Sequence, residues 1–349
     1  MKLLVLGPMP PPIGGVTVSM QYLVDALRSR DDVGVKLINV SEYKATGLRR
    51  ITRLIALVRR VVKDGREADV LCLHIGVNAL PWFGPVAVGL AWMMNKPLLI
   101  RLFGGVLIQE LPWLRSRLAH WAAGRCDLFL VQTKMALAAC KNERAVRAEW
   151  FPTVRPKSSA PIQPQRPSSH PVRFIFLGQM KGQKGLGEIK EALKLLPHGT
   201  ALVDCYGPMQ FDLNEAFFDE QLGFHYKGVL APEQVLTTVA QYSALLLPTY
   251  YVGEGYPGVI LEAYNAGVPV VASEWRAVPE LVNENCGTVV APKDPAALAQ
   301  AMKLFVDDPN YADRFQEGVA QMRQQFDFDA WIEKYVQYCR AALDARTEP

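Results

Sequence analysis

Leu245–Ser273 reads LLLPTYYVGEGYPGVILEAYNAGVPVVAS. An apolar strand-like run ends at Pro248, and a loop then carries Glu254 ahead of Gly255, Tyr256 and Pro257. A helix is expected to start there, because proline suits a first helical turn, and it places Glu262 in its second turn. Gly267 ends that helix and the next apolar run follows at once. Near-continuous apolar strands separated by helices indicate a parallel sheet covered on both faces. In such sheets ligands sit beyond the carboxyl ends of the strands, at the topological switch point. Both carboxylates therefore fall at the ligand end, one in a loop and one on a helix. Carboxylates accept hydrogen bonds from the hydroxyls of a sugar or ribose, and Gly255 and Gly258 allow a backbone to come close. Two solvated surface glutamates are the plainer alternative.

The same rhythm runs outward in both directions. Apolar runs at 2–6, 35–40, 70–74, 97–103 and 128–132 fill the first half, and others at 173–177, 201–206, 225–227, 244–248, 268–272 and 288–291 fill the second. Amphipathic stretches such as 16–28, 187–196, 232–242 and 295–306 lie between them. Only Arg155–Pro171, RPKSSAPIQPQRPSSHP, breaks the pattern, with the composition of a linker. The expectation is an α/β protein of two Rossmann-like, doubly wound domains facing across a cleft. They span residues 1–160 and 161–325, with 326–349 as a closing helix.

Composition sets limits. With 349 residues, half of them apolar and 21% charged, the chain can fill two cores, which excludes a disordered or fibrous protein. Its six cysteines, Cys72, Cys126, Cys140, Cys205, Cys286 and Cys339, form no C-x-x-C pair, which argues against a disulfide scaffold or zinc site and for reduced, cytosolic thiols. Charge divides unevenly: residues 1–170 carry 24 Lys/Arg and 11 Asp/Glu (+13), and 171–349 carry 14 and 23 (−9). The first half is thus suited to an anionic partner. No secretion signal is expected from Lys2, a five-residue apolar run and then prolines. The longest apolar stretch, Ala79–Met94, is interrupted by Pro81, Gly84, Pro85 and Gly89 and is short for a bilayer crossing, so a buried helix is expected there.

Two glycine-rich turns follow apolar strands. KLLVLG runs into PMPPPIGG, placing Gly14 and Gly15 at a helix start, where free amides favour an anion or simply make a tight turn. The dinucleotide fingerprint G-x-G-x-x-G is missing, which counts against a nicotinamide site. FLGQMKGQKGLGEI carries Lys181 and Lys184 among Gly178, Gly182, Gly185 and Gly187. Ammonium groups on such a turn make a diphosphate site, or else stand solvated on a loop.

Glu254 and Glu262, eight positions apart within EGYPGVILEAYNAGVPVVAS, resemble the E-x7-E motif of glycosyltransferase family 4, whose members have the GT-B fold. GGVTVSMQYL is similar to that family's N-terminal glycine loop, FLGQMKGQKG to its G-R-x4-K-G loop, and PELVNENCGTVVAPKDPAALAQAM to its closing strand and helix. The final FDFDAW…YCRAAL resembles the helix that crosses back to the first domain in this fold. The resemblance implies a retaining transferase of hexosyltransferase type that uses a nucleoside-diphosphate sugar, UDP or GDP type, with no metal and no other cofactor. By position it assigns Lys184 to the donor diphosphate and Glu254 to the donor sugar, with the backbone of Tyr256, Pro257, Gly258 and Val259 close by. It assigns Glu262 to the ribose, and Gly15 to an amide that faces the phosphates.

Two positions depart from the family. Gln179 stands where an arginine follows Gly178, with Lys181 as a substitute cation. Phe103, preceded by Arg101, stands where many members have histidine, which leaves His74, at the end of VLCLH, as the candidate imidazole. Asp327-Phe328-Asp329 has the look of a metal-binding D-x-D but precedes the last helix, where aspartate caps well. Leu48–Lys63, LRRITRLIALVRRVVK, is a basic amphipathic stretch without an acid, with Leu54, Leu57, Val58, Val61 and Val62 on one face. Such a helix can cover the sheet or lie on an anionic membrane, and Trp113 within PWLRSR adds an aromatic between basic residues. No nucleic-acid-binding motif is present.

The sequence therefore leads to the expectation of a cytoplasmic glycosyltransferase, peripheral on the inner face of the cell membrane, with a lipid-linked or membrane-associated glycan acceptor. A non-catalytic nucleotide-sugar-binding partner, suggested by Phe103 and Gln179, and a GT-B nucleotide-sugar epimerase are the alternatives.

Overall fold

The computed structural model describes residues 1–43, 46–47, 49–141, 146–158, 162–165, 170–210, 212–308 and 310–347. The chain divides into two units, Met1–Thr153 together with Phe328–Pro349, and Val154–Asp327. The first contains β1 (Lys2–Gly7), α1 (Gly15–Arg28), β2 (Gly34–Asn39), α2 (Arg49–Gly65), β3 (Val70–Gly76), α3 (Leu80–Met94), β4 (Leu98–Phe103), α4 (Trp113–Ala123), β5 (Leu128–Val131), α5 (Lys134–Lys141) and β6 (Ala148–Trp150). The second contains β7 (Val172–Leu177), α6 (Leu186–Leu195), β8 (Ala201–Tyr206), β9 (Phe224–Tyr226), α7 (Val235–Val239), β10 (Ala244–Leu247), α8 (Gly258–Asn265), β11 (Val270–Ser273), β12 (Gly287–Val290), α9 (Pro295–Asp307) and α10 (Gln316–Gln325). The last helix, α11 (Phe328–Thr347), belongs to the first unit.

Among the described residues each unit has one six-stranded sheet, in the orders β2-β1-β3-β4-β5-β6 and β12-β11-β10-β7-β8-β9. All strands pair in parallel, as the near-continuous apolar runs imply. Side chains alternate between two cores in the first unit. Leu4, Leu6, Leu71, Leu73 and Ile100 face the layer made by α2 to α5. Leu3, Val5, Val70, Cys72 and Leu99 face α1 and α11. Ile332, Tyr335, Val336 and Cys339 of α11 are buried in that second core. At roughly 1.5–3 kcal/mol for each large apolar side chain, this burial is the main force holding the C-terminal helix on its sheet.

Several expectations change in detail. The boundary expected at residues 160–161 lies outside the described residues. The units divide at Thr153/Val154 instead, because Val154 and Arg155 are already packed into the second unit, and at Asp327/Phe328 rather than 325/326. The short edge strand β6 was not apparent in the sequence, since Ala148–Trp150 is only half-buried. The helix expected over 232–242 is a 3-10 turn at Pro232–Gln234 followed by the five-residue α7. Leu48, the first residue of the basic amphipathic stretch, lies outside the described residues. The expected apolar face of α2 splits: Leu57 and Val61 enter the core, whereas Leu54 is exposed. Nor is Ala79–Met94 a buried helix. Leu80, Val88 and Ala91 face inward, but Trp82, Phe83, Trp92 and Met93 face outward. Among the described residues no helix is long and apolar enough to cross a membrane.

Candidate functional site

In the second unit the chain builds β7, β8 and β9 outward on one side, then returns to add β10 on the other side of β7. Order reverses between β7 and β10, so the loops leaving these two strands meet at the switch point. Leaving β7, residues 178–185 form a turn that ends in a 3-10 segment, Gly182–Lys184. Gly185 closes it at φ +86°, where an added Cβ would stand 2.2 Å from the Pro248 carbonyl oxygen. Only glycine meets both demands, and it presses the lysine turn onto the end of β10. The Tyr250 amide donates to the Gln183 carbonyl at 2.9 Å, tying the two loops together.

That contact brings Lys184 to Glu254. The ammonium lies 2.5 Å from Oε2 of a carboxylate that is only 7% exposed. The Thr249 hydroxyl donates to the same oxygen at 2.9 Å and is itself fully buried. Tyr251 places its ring beneath both lysines, 4.4 Å from the Lys181 ammonium and 5.2 Å from that of Lys184. The indole of Trp275 fixes this loop by donating to the Tyr251 carbonyl at 2.8 Å. Two cations and a hydrogen-bonded carboxylate thus share one point. The cations suit a diphosphate and the carboxylate suits hydroxyl donors.

Glu262, one helical turn into α8, accepts from Nε of Arg155 at 2.8 Å, and both side chains are largely buried. The same guanidinium fills the space beside Gly258, where an added Cβ would meet it at 2.0 Å. In the fold the missing side chain of Gly258 makes room for Arg155. Asn265, on the next turn of α8, donates to the carbonyls of Arg155 and Pro156 at 3.1 and 3.2 Å, holding this segment to the helix. Tyr256 turns its ring inward against Phe326 and donates to Glu280, so this residue offers the site its backbone only. Pro257 caps α8, and Val259 is half-buried in its first turn. Gln179 is half-buried beside Gly178 on the lysine turn.

The remaining expected residues lie in the first unit. Gly14 is the N-cap of α1, and its amide donates to the Thr17 hydroxyl at 3.1 Å. Beside Gly15 an added Cβ would meet nothing within 4 Å, so the fold itself does not require glycine there. His74 is not at an open site. It is 1% exposed, and its Nε2 shares a 2.9 Å hydrogen bond with the Tyr335 hydroxyl of α11. Phe103 is equally buried, with the Arg101 guanidinium held between its ring and that of Phe151 at 4.4 and 4.3 Å. Among the described residues no group of three His, Cys, Asp or Glu could hold a metal ion.

Burial pushes the His74 pKa well below the ordinary histidine value, and the nearby Arg101 charge acts in the same direction. The folded unit therefore keeps the ring neutral below pH ~6.5, where the unfolded chain takes up a proton. Stability is present in full above that pH and falls by up to about 1.4 kcal/mol per pH unit below it. Urea titrations at several pH values should show this slope in the native protein and a flatter one in His74→Gln. Equal slopes in the two would refute the assignment.

Sequence reading missed Arg155 and Thr249. Arg155 opens the Pro/Ser-rich stretch and has its look, although the apolar WFPTV directly ahead marks an ordered segment. Thr249 is a lone hydroxyl next to the strand end, and only its partner distinguishes it.

Residues 171–308 match the family model described as Glycosyl transferases group 1. Glycogen synthase of Mycobacterium tuberculosis is 31% identical over a 176-residue alignment that covers 48% of this chain and 42% of that protein. Amylovoran biosynthesis glycosyltransferase AmsK of Erwinia amylovora is 28% identical over 144 residues, 38% and 35% of the two chains. The chain thus spans less than half the length of the curated relatives it matches. Anabaena Alr3699/HepE, crystallised in complex with UDP, superposes with a TM-score of 0.75 at 18% identity, covering 98% of this chain and all of that one. The fold is GT-B, with two Rossmann-like units.

Proposed function

We propose that this protein is a retaining glycosyltransferase that moves a sugar from a nucleoside-diphosphate sugar to a hydroxyl of a membrane-linked glycan or lipid. The Lys184–Glu254 pair at the β7/β10 switch point carries this reading, because it sits within the stretch that matches the glycosyl transferases. AmsK is a glycosyltransferase by name, and the Anabaena neighbour was crystallised with UDP, which supports a donor of UDP or GDP type.

On donor binding the Lys184 ammonium turns from Glu254 to the diphosphate, joined by Lys181. The freed Glu254 carboxylate, steered by Thr249, accepts from the donor sugar's hydroxyls. Glu262, kept in place by Arg155, accepts from the ribose. As the glycosidic bond to phosphate breaks, negative charge grows on the leaving diphosphate, and the two lysines stabilise it. The departing phosphate oxygen takes the acceptor's hydroxyl proton as the new bond forms. No metal and no further cofactor is needed in this scheme. The protein acts in the cytoplasm at the inner face of the membrane, where the arginines of α2 meet anionic headgroups at ~1 kcal/mol each.

Thermal unfolding against a panel of UDP-, GDP-, ADP- and TDP-sugars tests the donor. Binding at a hundredfold excess over Kd adds about 2.7 kcal/mol to apparent stability. One nucleotide is expected to shift the second unit clearly. A panel without any shift overturns the donor assignment.

A further inference from the structure

The helix α3, LPWFGPVAVGLAWMM, has no charged, amide or hydroxyl side chain. A helix that is apolar on every side belongs inside a core, yet only one side of α3 is covered. Gly84 on that side packs so closely on α4 that an added Cβ would stand 2.7 Å from the Ala122 methyl. On the opposite side Trp82, Val86 and Met93 form one stripe, flanked by Phe83 and by Trp92, which is 81% exposed. Adjacent α4 exposes Trp113 at 71% and Leu114 beside it. The first two turns of α2, on the same face of the sheet, leave Ile51, Leu54 and Ile55 open. An apolar surface of this extent marks an interaction site.

Its charge names the partner. The four helices on this face, α2 to α5, carry a single acid, Asp64, and that one is buried and paired with Arg60 and Lys36. Three of the exposed tryptophans stand beside an arginine: Arg115 lies 5.8 Å from the Trp82 ring, Arg117 5.0 Å from Trp113, and Arg125 4.4 Å from Trp121. Rings that settle at the headgroup level, next to cations that meet lipid phosphates, match an anionic bilayer surface.

We infer that the outer face of α3 and α4 inserts into an anionic bilayer, with α2 alongside, so that the protein is held by buried aromatic side chains and not by charge alone. The inference rests on the proposal of a membrane-linked acceptor and gives its mode of attachment. Flotation of the full chain with phosphatidylglycerol/phosphatidylethanolamine vesicles tests it in the absence of any sugar nucleotide. Binding is expected to survive a rise from about 0.1 to 1 M salt, which shortens the Debye length from about 10 to 3 Å. Brominated lipid is expected to quench tryptophan fluorescence. The double variant W82S/W92S is expected to lose partitioning about tenfold or more, since binding scales with buried apolar area, while its Tm holds because both side chains are exposed. Replacing Arg49, Arg53 and Arg59 by glutamine should weaken binding at low salt only. Absent quenching, or W82S/W92S partitioning unchanged, overturns the inference. So does a lipid-free dimer that W82S/W92S abolishes, which would assign the face to a second copy. A nucleotide-sugar shift without vesicle binding would leave the transferase reading standing while this one falls.

Discussion

Lys184→Ala is expected to lower sugar transfer about 100- to 1000-fold, the cost of removing one preorganised group from a site of developing negative charge. The substitution also strips Glu254 of its cation and leaves a nearly buried carboxylate with the Thr249 hydroxyl. Stability should therefore fall as well, by about 1–3 kcal/mol. The double variant K184A/E254A separates the two effects. With both charges gone no uncompensated charge remains, so most of the stability returns, but transfer stays lost because the diphosphate cation and the sugar acceptor are both missing. Steady-state transfer and urea unfolding on the three variants provide the readout. A pair with a purely structural role would recover activity together with stability in the double variant, and that outcome would remove Lys184 and Glu254 from the proposed site.

Arg155→Ala is expected to cost the second unit about 3 kcal/mol, because breaking a buried ion pair leaves its partner uncompensated. For a unit of this size that is roughly 6–12 °C in Tm. The side chains of the Arg155–Glu262 pair are 4% and 15% exposed, so solvent offers the orphaned Glu262 little relief. Donor binding should weaken in parallel, since the carboxylate proposed for the ribose loses the group that aims it. Gly258→Ala provides an independent approach, for its methyl would occupy the guanidinium's place. It should reproduce both effects without altering either charged residue. Differential scanning calorimetry with and without UDP measures both. An Arg155→Ala protein that melts within about 2 °C of the native one, less than 1 kcal/mol at this size, would contradict the assignment.

Both predictions concern residues that stood in plain view in the sequence, yet only one of the two groups was recognised there. Lys184 and Glu254 were legible because each lies in the loop that leaves an apolar strand, and strand ends are where parallel sheets bind ligands; Glu262 was legible from its place in the helix that the same loop starts. The glycines around them reported tight turns for the same local reason. His74 shared that signature, at the end of VLCLH, and yet lies in the core. Its environment is set by Tyr335, 261 residues further along, which no local pattern encodes. Arg155 had the opposite history. Its neighbours Pro156, Lys157 and Ser158 suggest a linker, and its place beside Gly258 depends on α8 more than a hundred residues away.

The alternation of apolar runs with amphipathic stretches was enough by itself to determine two parallel α/β units, because strand burial and helix periodicity are properties of short segments. Which strands became neighbours was decided only in the tertiary structure. Placing β10 beside β7 brings Lys184 to Glu254 across 70 residues of chain. The covering of each apolar face was decided there too. Periodicity shows that a helix such as α3 can be buried, but burial requires something to lie over it, and in this unit nothing among the described residues covers its outer stripe of tryptophan and methionine.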